Sequence, residues 1–270
     1  MSEDFLHTTF GKNGPEVFRL GLSATYRPGK QTIYKAIDEG INFFFAYGFD
    51  TQATSVLKDI FRRDREKYFI ATGNYNLLLT HTDVRKTLEK RLKKLGTDYI
   101  DVFLFLGVMK EKQFPEAVKE ELLKIREEGL VRRIGMSCHD RKFIGRMVAE
   151  GELDAFMVRY NAAHRGAEQD IFPFLNQHNP GIISYTATRW GFLTRRPKSW
   201  PKGERIPDAG FSYRFVLSNP NVDVCLNAPS NMRQLVENLA AVRKGPLDSG
   251  DMEFMKMFGD VVHQTKKWFM

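Results

Sequence analysis

Side chains able to do chemistry occur in this chain in short clusters, each just after an apolar run. Tyr47 and Asp50 follow residues 41–45, and Asn74 and Tyr75 follow 68–72. Ser137, Cys138, His139 and Asp140 follow 131–136; Arg159, Tyr160, Asn161 and His164 follow 155–158. Tyr185, Thr186 and Arg189 close the run at 182–185, and Asn227 and Ser230 follow 222–226. These are hydroxyls, amides and phenols with a basic rim, a set that can bind a nucleotide and polarise a carbonyl. No metal site is expected, because His139 with Asp140 and a distant His164 is too thin a ligand set. No acid pair stands where glycoside hydrolysis would need one, and neither a Walker loop nor a Rossmann fingerprint is present.

The apolar runs alternate with amphipathic segments. Strands are expected at 19–22, 41–45, 68–72, 99–106, 131–136, 155–158, 182–185 and 222–226. Helices are expected at 30–39, 51–62, 83–95, 115–128, 141–150, 170–177, 211–218 and 231–243, with an additional one at 249–267. In the third, Asp83 can cap and Val84, Leu88, Leu92 and Leu95 form one stripe. Strands separated by helices predict a parallel sheet, because each crossover needs a helix. Eight such units fit a TIM (β/α)8 barrel forming a single domain over 1–270, with an extra C-terminal helix; a doubly wound open sheet is the alternative. In either fold ligands bind at the carboxyl ends of the strands. The stretch 40–48 ends a helix at Gly40, runs through a buried strand and delivers Tyr47 and Gly48 to that end. The longest irregular piece, 194–210, is rich in proline and basic residues and leaves the same end of the seventh strand; it reads as functional or as mobile surface.

The chain has 270 residues, 42 % of them hydrophobic, enough for a large core. No apolar run is long enough to span a membrane, and the acidic amino terminus lacks a secretory pattern. Cys138 and Cys225 are the two cysteines, so neither a disulfide framework nor a cysteine-rich metal site is expected. These features describe a soluble cytoplasmic protein with free thiols. The net charge is +8 and the pI about 9.4, which attracts nucleic acid, anionic lipid or phosphorylated small molecules. With no nucleic-acid-binding motif present, a nucleotide phosphate is the economical partner, and a solvated basic surface is the alternative.

Over nearly its whole length the chain resembles the aldo-keto reductases. The resemblance rests on the order and spacing of several phrases: Ala36-Ile-Asp-Glu-Gly-Ile-Asn-Phe-Phe44, Tyr47-Gly48, Phe69-Ile-Ala-Thr72, Leu95-Gly-Thr-Asp-Tyr-Ile-Asp101, Arg133-Ile-Gly135, Ser137 with His139, Tyr160-Asn161 and Phe215-Val-Leu-Ser-Asn-Pro220. It implies a TIM barrel that binds NADP(H) at the strand carboxyl ends and transfers hydride to the carbonyl of a small-molecule substrate. It implies that Ser137 holds the nicotinamide amide, that Tyr185 stacks on the nicotinamide ring, and that Thr186, Thr188 and Gly191 form the pyrophosphate turn. Ser230, Gln234, Glu237 and Asn238 match the adenosine end. Asn231 or Arg233 could meet a 2′-phosphate, and Arg195, Arg196 or Lys198 could fold over the pyrophosphate.

The catalytic set departs from the family. The family's Asp, Lys and His positions hold Phe45, Gly73 and Leu106, and the loop before Tyr47 is shorter. Tyr47 alone matches the family's acid; it could equally be a packing tyrosine. Cys138 and Met157 replace an Asn and a Gln beside Ser137 and Tyr160. His139, Arg159 and His164 are candidates for orienting or protonating a substrate, and Arg159 would suit an acidic one, because its fork matches a carboxylate. Two readings stand: an NADP(H)-dependent oxidoreductase with a degenerate catalytic set, and a non-redox nucleotide- or partner-binding protein on the same barrel. Non-hydride chemistry in the same pocket is a third. Substrate identity and oligomeric state are not legible.

Overall fold

The computed structural model of the chain describes residues 4–47, 50–75 and 83–265. An antiparallel hairpin of β1 (His7–Thr9) and β2 (Glu16–Phe18) precedes the main sheet. Eight parallel strands then close into a barrel in chain order: β3 (Leu20–Ser23), β4 (Phe43–Ala46), β5 (Phe69–Tyr75), β6 (Ile100–Val108), β7 (Val131–Cys138), β8 (Ala155–Arg159), β9 (Gly181–Tyr185) and β10 (Val224–Asn227), which returns to β3. The crossovers carry α1 (Lys30–Asp38), α2 (Thr51–Arg63), α3 (Val84–Leu95), α4 (Glu116–Glu127), α5 (Arg141–Glu150), a short α6 (Ala167–Asp170) and α7 (Ala209–Leu217). After β10 come α8 (Met232–Val242) and the additional helix α9 (Ser249–Thr265); the expected residues 266–267 of that helix lie outside the described ones.

All eight expected strands are present, and several run further toward the mouth than their apolar cores. Ladder pairing depends on backbone groups, so polar residues such as Asn74 and Arg159 continue it. The segment 170–177, expected as one helix, is instead the end of α6 followed by a tight 3-10 stretch, Phe172–Gln177. Pro173 lies in its first turn and brings no amide proton for an α-helical bond.

Alternation along the strands divides the core into two shells. Phe43, Phe45, Ala71, Leu104, Leu106 and Met157 are among the side chains that fill the barrel, Phe10 and Val17 from the hairpin region plug its floor, and Tyr47 and Tyr185 lie against its top. The outer row, Phe44, Ile70, Phe103 and Phe156 among them, packs against the helices. Phe10 sits 5.1 Å from the Phe69 ring. It can do so because residue 181 is glycine: a Cβ there would lie 2.3 Å from the Phe10 ring.

Near the floor, Asp101 (2 % exposed) accepts from Arg65 Nη2 at 2.7 Å and from the Ile70 N–H at 2.9 Å. The Arg65 guanidinium lies over the Phe61 and Tyr99 rings, 4.5 and 4.0 Å from their centroids. Facing the mouth, Asp83, Asp140, Asp208 and Asn231 each accept a backbone N–H from the first turn of their helices, which fixes where those helices begin. On α9, Phe254, Met255, Phe258 and Val262 are buried. Among the described residues no helix is long and apolar enough to cross a membrane.

Candidate functional site

Tyr47 follows β4 directly. Phe45 points into the barrel, so Tyr47, two residues on, does too. Its ring meets Phe45 edge-on at 4.7 Å and Tyr75 at 6.0 Å, and its N–H donates to Asp50 Oδ2 at 2.9 Å. Burial foremost, then Tyr75, Asp50, Tyr185 and Tyr26, pushes the Tyr47 phenol above its ordinary value of 10.0. It is therefore protonated throughout the physiological range and has an O–H to donate. Burial likewise pushes Asp50 up, against the opposing effects of the Tyr47 N–H and Arg91.

Phe45 and Leu106, standing where the resemblance expects an acid and a histidine, belong to the barrel filling. At Gly73, where a lysine is expected, a Cβ would lie 2.1 Å from the Leu104 carbonyl oxygen and 3.0 Å from Leu106 Cδ1. The β5 backbone runs too close to β6 to carry any side chain there. The β6–β7 register shifts between Phe105 and Val108, with Gly107 at φ +78°, a bulge of the kind that ends or re-aims a strand.

Ser137 is on the next strand, its Oγ accepting from the Gly107 N–H at 3.1 Å. Met157 joins the barrel filling, and Cys138 packs in the outer shell, where burial raises its thiol to about 11. Tyr185 lies opposite Arg159 in the β8–β9 ladder; burial pushes its phenol up to about 12, with Arg159 opposing. Past it the chain turns tightly. Thr186, Arg189, Trp190 and Gly191 all have positive φ, and Asn161 Nδ2 donates to the Thr186 carbonyl at 2.9 Å. Arg189 is 1 % exposed and donates to the Val262 carbonyl at 2.7 Å, which ties the turn to α9.

Tyr47, Tyr185, Thr186 and Thr188 line one pocket at the mouth, joined by Ser23, Thr25, Tyr26, Trp190, Tyr213 and Ala228. Gly191 lies outside it, at the entry to the following 3-10 turn. Sequence reasoning does not single out Trp190 or Tyr213. Tyr213 sits on the helix expected at 211–218, away from any strand end, and Trp190 lies in the left-handed turn that follows β9.

The adenosine-end candidates lie apart from this pocket, along the start of α8. Ser230 donates through both N–H and Oγ to Gln234 Oε1, at 2.8 and 2.9 Å, and Glu237 pairs with Arg233 at 3.3 Å. Asn238 is buried and donates to Asn227 Oδ1 at 2.9 Å. Asn227 Nδ2 is enclosed and without a hydrogen-bond partner among the described residues. An unspent buried amide donor beside short polar side chains fits a nucleotide base or ribose.

The basic loop is folded on itself. Arg196 donates to the Pro201 and Glu204 carbonyls, and Trp200 packs edge-on against Phe258 of α9 at 4.9 Å. Arg195, Arg196 and Lys198 line a hollow against Val262 and Thr265, separate from the mouth pocket. His139, Arg159 and His164 are brought together in a small cleft at the ends of β7 and β8, with Tyr185 as one wall. Among the described residues no cluster of three or more His, Cys, Asp or Glu could hold a metal.

A closed eight-stranded β/α barrel with its polar pocket at the strand carboxyl ends defines the class of protein. A profile of the aldo/keto reductase family matches residues 24–209, and the chain belongs to that family. It is 30 % identical over 206 residues to the probable aldo-keto reductase 1 of Glycine max, covering 68 % of this chain and 59 % of that protein. It is 23 % identical to the uncharacterized oxidoreductase YqkF of Bacillus subtilis, spanning 50 % of it. It is 22 % identical to the uncharacterized oxidoreductase YrpG of the same organism, spanning 95 % of it. Among solved structures, the fold is shared with aldo-keto reductase AKR11C1 from Bacillus halodurans in its holo form (TM-score 0.76, 18 % identity, 93 % and 95 % of the two chains). It is also shared with an aldo/keto reductase from Klebsiella pneumoniae in complex with NADP and acetate (TM-score 0.73, 20 % identity, 94 % and 95 %).

Proposed function

We propose that the protein is an NADP(H)-dependent oxidoreductase that reduces the carbonyl of a small-molecule substrate, with Tyr47 as the acid of a degenerate catalytic set. In this reading the whole chain, 1–270, is one barrel domain working in the cytoplasm. The observation that carries it is that Tyr47 and Tyr185 line a single pocket at the barrel mouth. Support for the cofactor comes from the Klebsiella pneumoniae relative solved with NADP, from the basic charge and from the unspent Asn227 amide. Tyr185 offers a flat face, Ser137 a hydroxyl, Thr186, Thr188 and Gly191 the turn, and Ser230, Gln234, Glu237 and Asn238 the polar edge along α8. The cofactor supplies the hydride. Tyr47 donates a hydrogen bond, then its proton, to the carbonyl oxygen; Asp50 holds the backbone of that tyrosine. With no lysine at 73 to favour the phenolate, Tyr47 is a weaker acid than the family's, and general acid catalysis is worth about 10²–10⁴-fold.

The second reading is a cofactor- or partner-binding protein without turnover. It is favoured by the apolar Phe45 and Leu106 and by the absence of room at Gly73. NADPH titration by fluorescence, followed by a carbonyl panel, separates the two. Binding with turnover that falls about 100-fold or more in Tyr47→Phe supports the reductase. Binding with no turnover across the panel supports the second reading, and absence of NADPH binding at high micromolar concentration removes both cofactor-based readings.

A further inference from the structure

The turn that lines the mouth pocket leads directly into a second hollow. Phe192 and the segment 195–198 form one wall of it and Val262 and Thr265 of α9 the other, with about 510 Å³ of space between them. That size falls within the range of small-molecule sites. The hollow shares no lining residue with the mouth pocket, so the reaction proposed above leaves it unused. Two kinds of surface meet in it. Phe192, Pro197 and Val262 are apolar, whereas Arg195, Arg196 and Lys198 are cations, and no acid is among the described lining residues. The aspartates of α9 are engaged elsewhere: Asp251 pairs with Arg205 at 2.8 Å and Asp260 with Arg165 at 2.9 Å. Arg196 is taken up by the Pro201 and Glu204 carbonyls. The Arg195 and Lys198 side chains form no ion pair or hydrogen bond among the described residues. Like charges held side by side repel one another, and an anion in the hollow would relieve that.

The wall that carries these cations is fixed by contacts of its own. Trp200 Nε1 donates to the Arg205 carbonyl at 2.9 Å, and its ring meets Phe258 of α9 at 4.9 Å. The Arg205 guanidinium lies 3.8 Å from the Phe254 ring centroid. Pro197 and Pro201 restrict the backbone between these anchors. A wall already in place loses little freedom when a ligand binds. Cations near the carboxyl end of a helix are favourable in themselves, which accounts for the charge beside α9 but not for the apolar surface next to it. Apolar surface and unused cations in one hollow match an amphiphilic anion.

We propose that this hollow binds a carboxylate carried on an aliphatic chain, a fatty acid anion of medium length. Arg195 and Lys198 hold the head, the arginine through a fork that matches a carboxylate. The chain lies along Phe192, Pro197 and Val262. The site does not rest on the reductase reading, because it lies outside the mouth pocket.

The test is calorimetric titration of the full chain with octanoate, acetate and octan-1-ol, with and without NADPH. Octanoate is expected to bind saturably in both conditions. It should bind about tenfold or more tightly than acetate, which lacks the chain, and than octan-1-ol, which lacks the charge. Equal affinity for acetate overturns the fatty-acid part in favour of a free-anion site, and equal affinity for octan-1-ol overturns the anion part. No saturable binding of octanoate overturns the site. Location is read from variants whose folding is checked by thermal melting. Joint Arg195→Gln and Lys198→Gln substitution should weaken octanoate about tenfold or more. Thr265→Trp, which sets a large ring at the edge of the hollow, should also weaken it, with NADPH affinity unchanged within about twofold. Octanoate binding that survives both changes, or that is lost when NADPH is added, belongs to the mouth pocket and overturns the assignment. A lowered melting temperature in the double variant with octanoate binding intact shows that the two cations serve the end of α9 and overturns it as well.

Discussion

At the residue scale, the proposed reaction turns on three positions around Tyr47. Phe45 and Leu106 are legible from sequence as apolar substitutions, but Gly73 is not legible as a steric statement. Only the backbone path shows it: a Cβ at residue 73 would stand 2.1 Å from the Leu104 carbonyl oxygen, so no lysine fits there. Gly73→Lys is therefore expected to lower stability by about 2 kcal/mol or more, as overpacked sites do, without raising turnover. Urea unfolding and a carbonyl assay check both halves, and a gain in rate at unchanged stability would contradict the steric argument. Because burial holds the Tyr47 proton above the ordinary tyrosine range, kcat/KM should show no downward limb from this group between about pH 6 and 10. A limb near pH 8 that vanishes in Tyr47→Phe would show a phenol far more acidic than its surroundings allow. The contact of Asp50 with the Tyr47 N–H is also invisible in sequence, because the shortened loop gives no hint of its path.

At the scale of elements, the strands are the most legible part of the chain. Barrel strands are buried on both faces, so they read as short apolar runs bounded by polar ones. Asp83 marks the start of its helix in the sequence as in the structure, because a cap is a local interaction. The 170–177 segment departs from its expected helix because apolar spacing alone does not distinguish an α-turn from a 3-10 turn. The path of the basic loop back onto α9 is unreadable, since it depends on Trp200 meeting Phe258 from a distant part of the chain. The Arg65–Asp101 pair joins the start of β6 to the segment before β5 and has an energetic consequence. Arg65→Ala would leave a buried carboxylate with only the more distant Arg132, 3.7 Å away, a change that costs up to about 3–5 kcal/mol. Chemical denaturation should show that loss, and adding Asp101→Asn should recover part of it. A loss below about 1 kcal/mol would mean that Arg132 or water takes the place of Arg65 at Asp101.

For the whole molecule, pH sensitivity is expected from acids whose carboxyls desolvation raises. Asp223 accepts from the Ile182 N–H at 2.8 Å, and burial, opposed by its backbone donors and Arg19, raises it from 3.8 to about 6. A raised carboxyl binds its proton more tightly folded than unfolded. Its contribution to stability is therefore full below about pH 4 and is lost as pH rises through about 6. At neutral pH the ionised form costs on the order of 2–3 kcal/mol. Asp223→Asn, whose carbonyl can still accept from Ile182, should raise the melting temperature at pH 7 and flatten its change between about pH 4 and 6. An unchanged profile would show that Asp223 does not set it. Asp101 and Asp50 are raised by burial in the same direction. The lowered acids Glu39, Glu66 and Glu128 lie in surface pairs, where screening leaves little effect.

Sequence by itself determined the alternation of eight strands with helices, because burial on two faces and helical crossovers leave marks that are local in the chain; it left a barrel and a doubly wound sheet open, and the family resemblance pointed to the barrel. The resemblance also named the positions, 45, 73 and 106, where this chain departs from the family's pattern, since that needs only residue types in order. Tertiary structure decided what those replacements mean: that Phe45 and Leu106 are barrel filling, that Gly73 is pressed against β6, and that Tyr47 and Tyr185 line one pocket. It also decided that His139, Arg159 and His164, spread over two strand ends and a loop, share one cleft. Closure of the sheet sets those distances, and nothing in the spacing of residues along the chain encodes them.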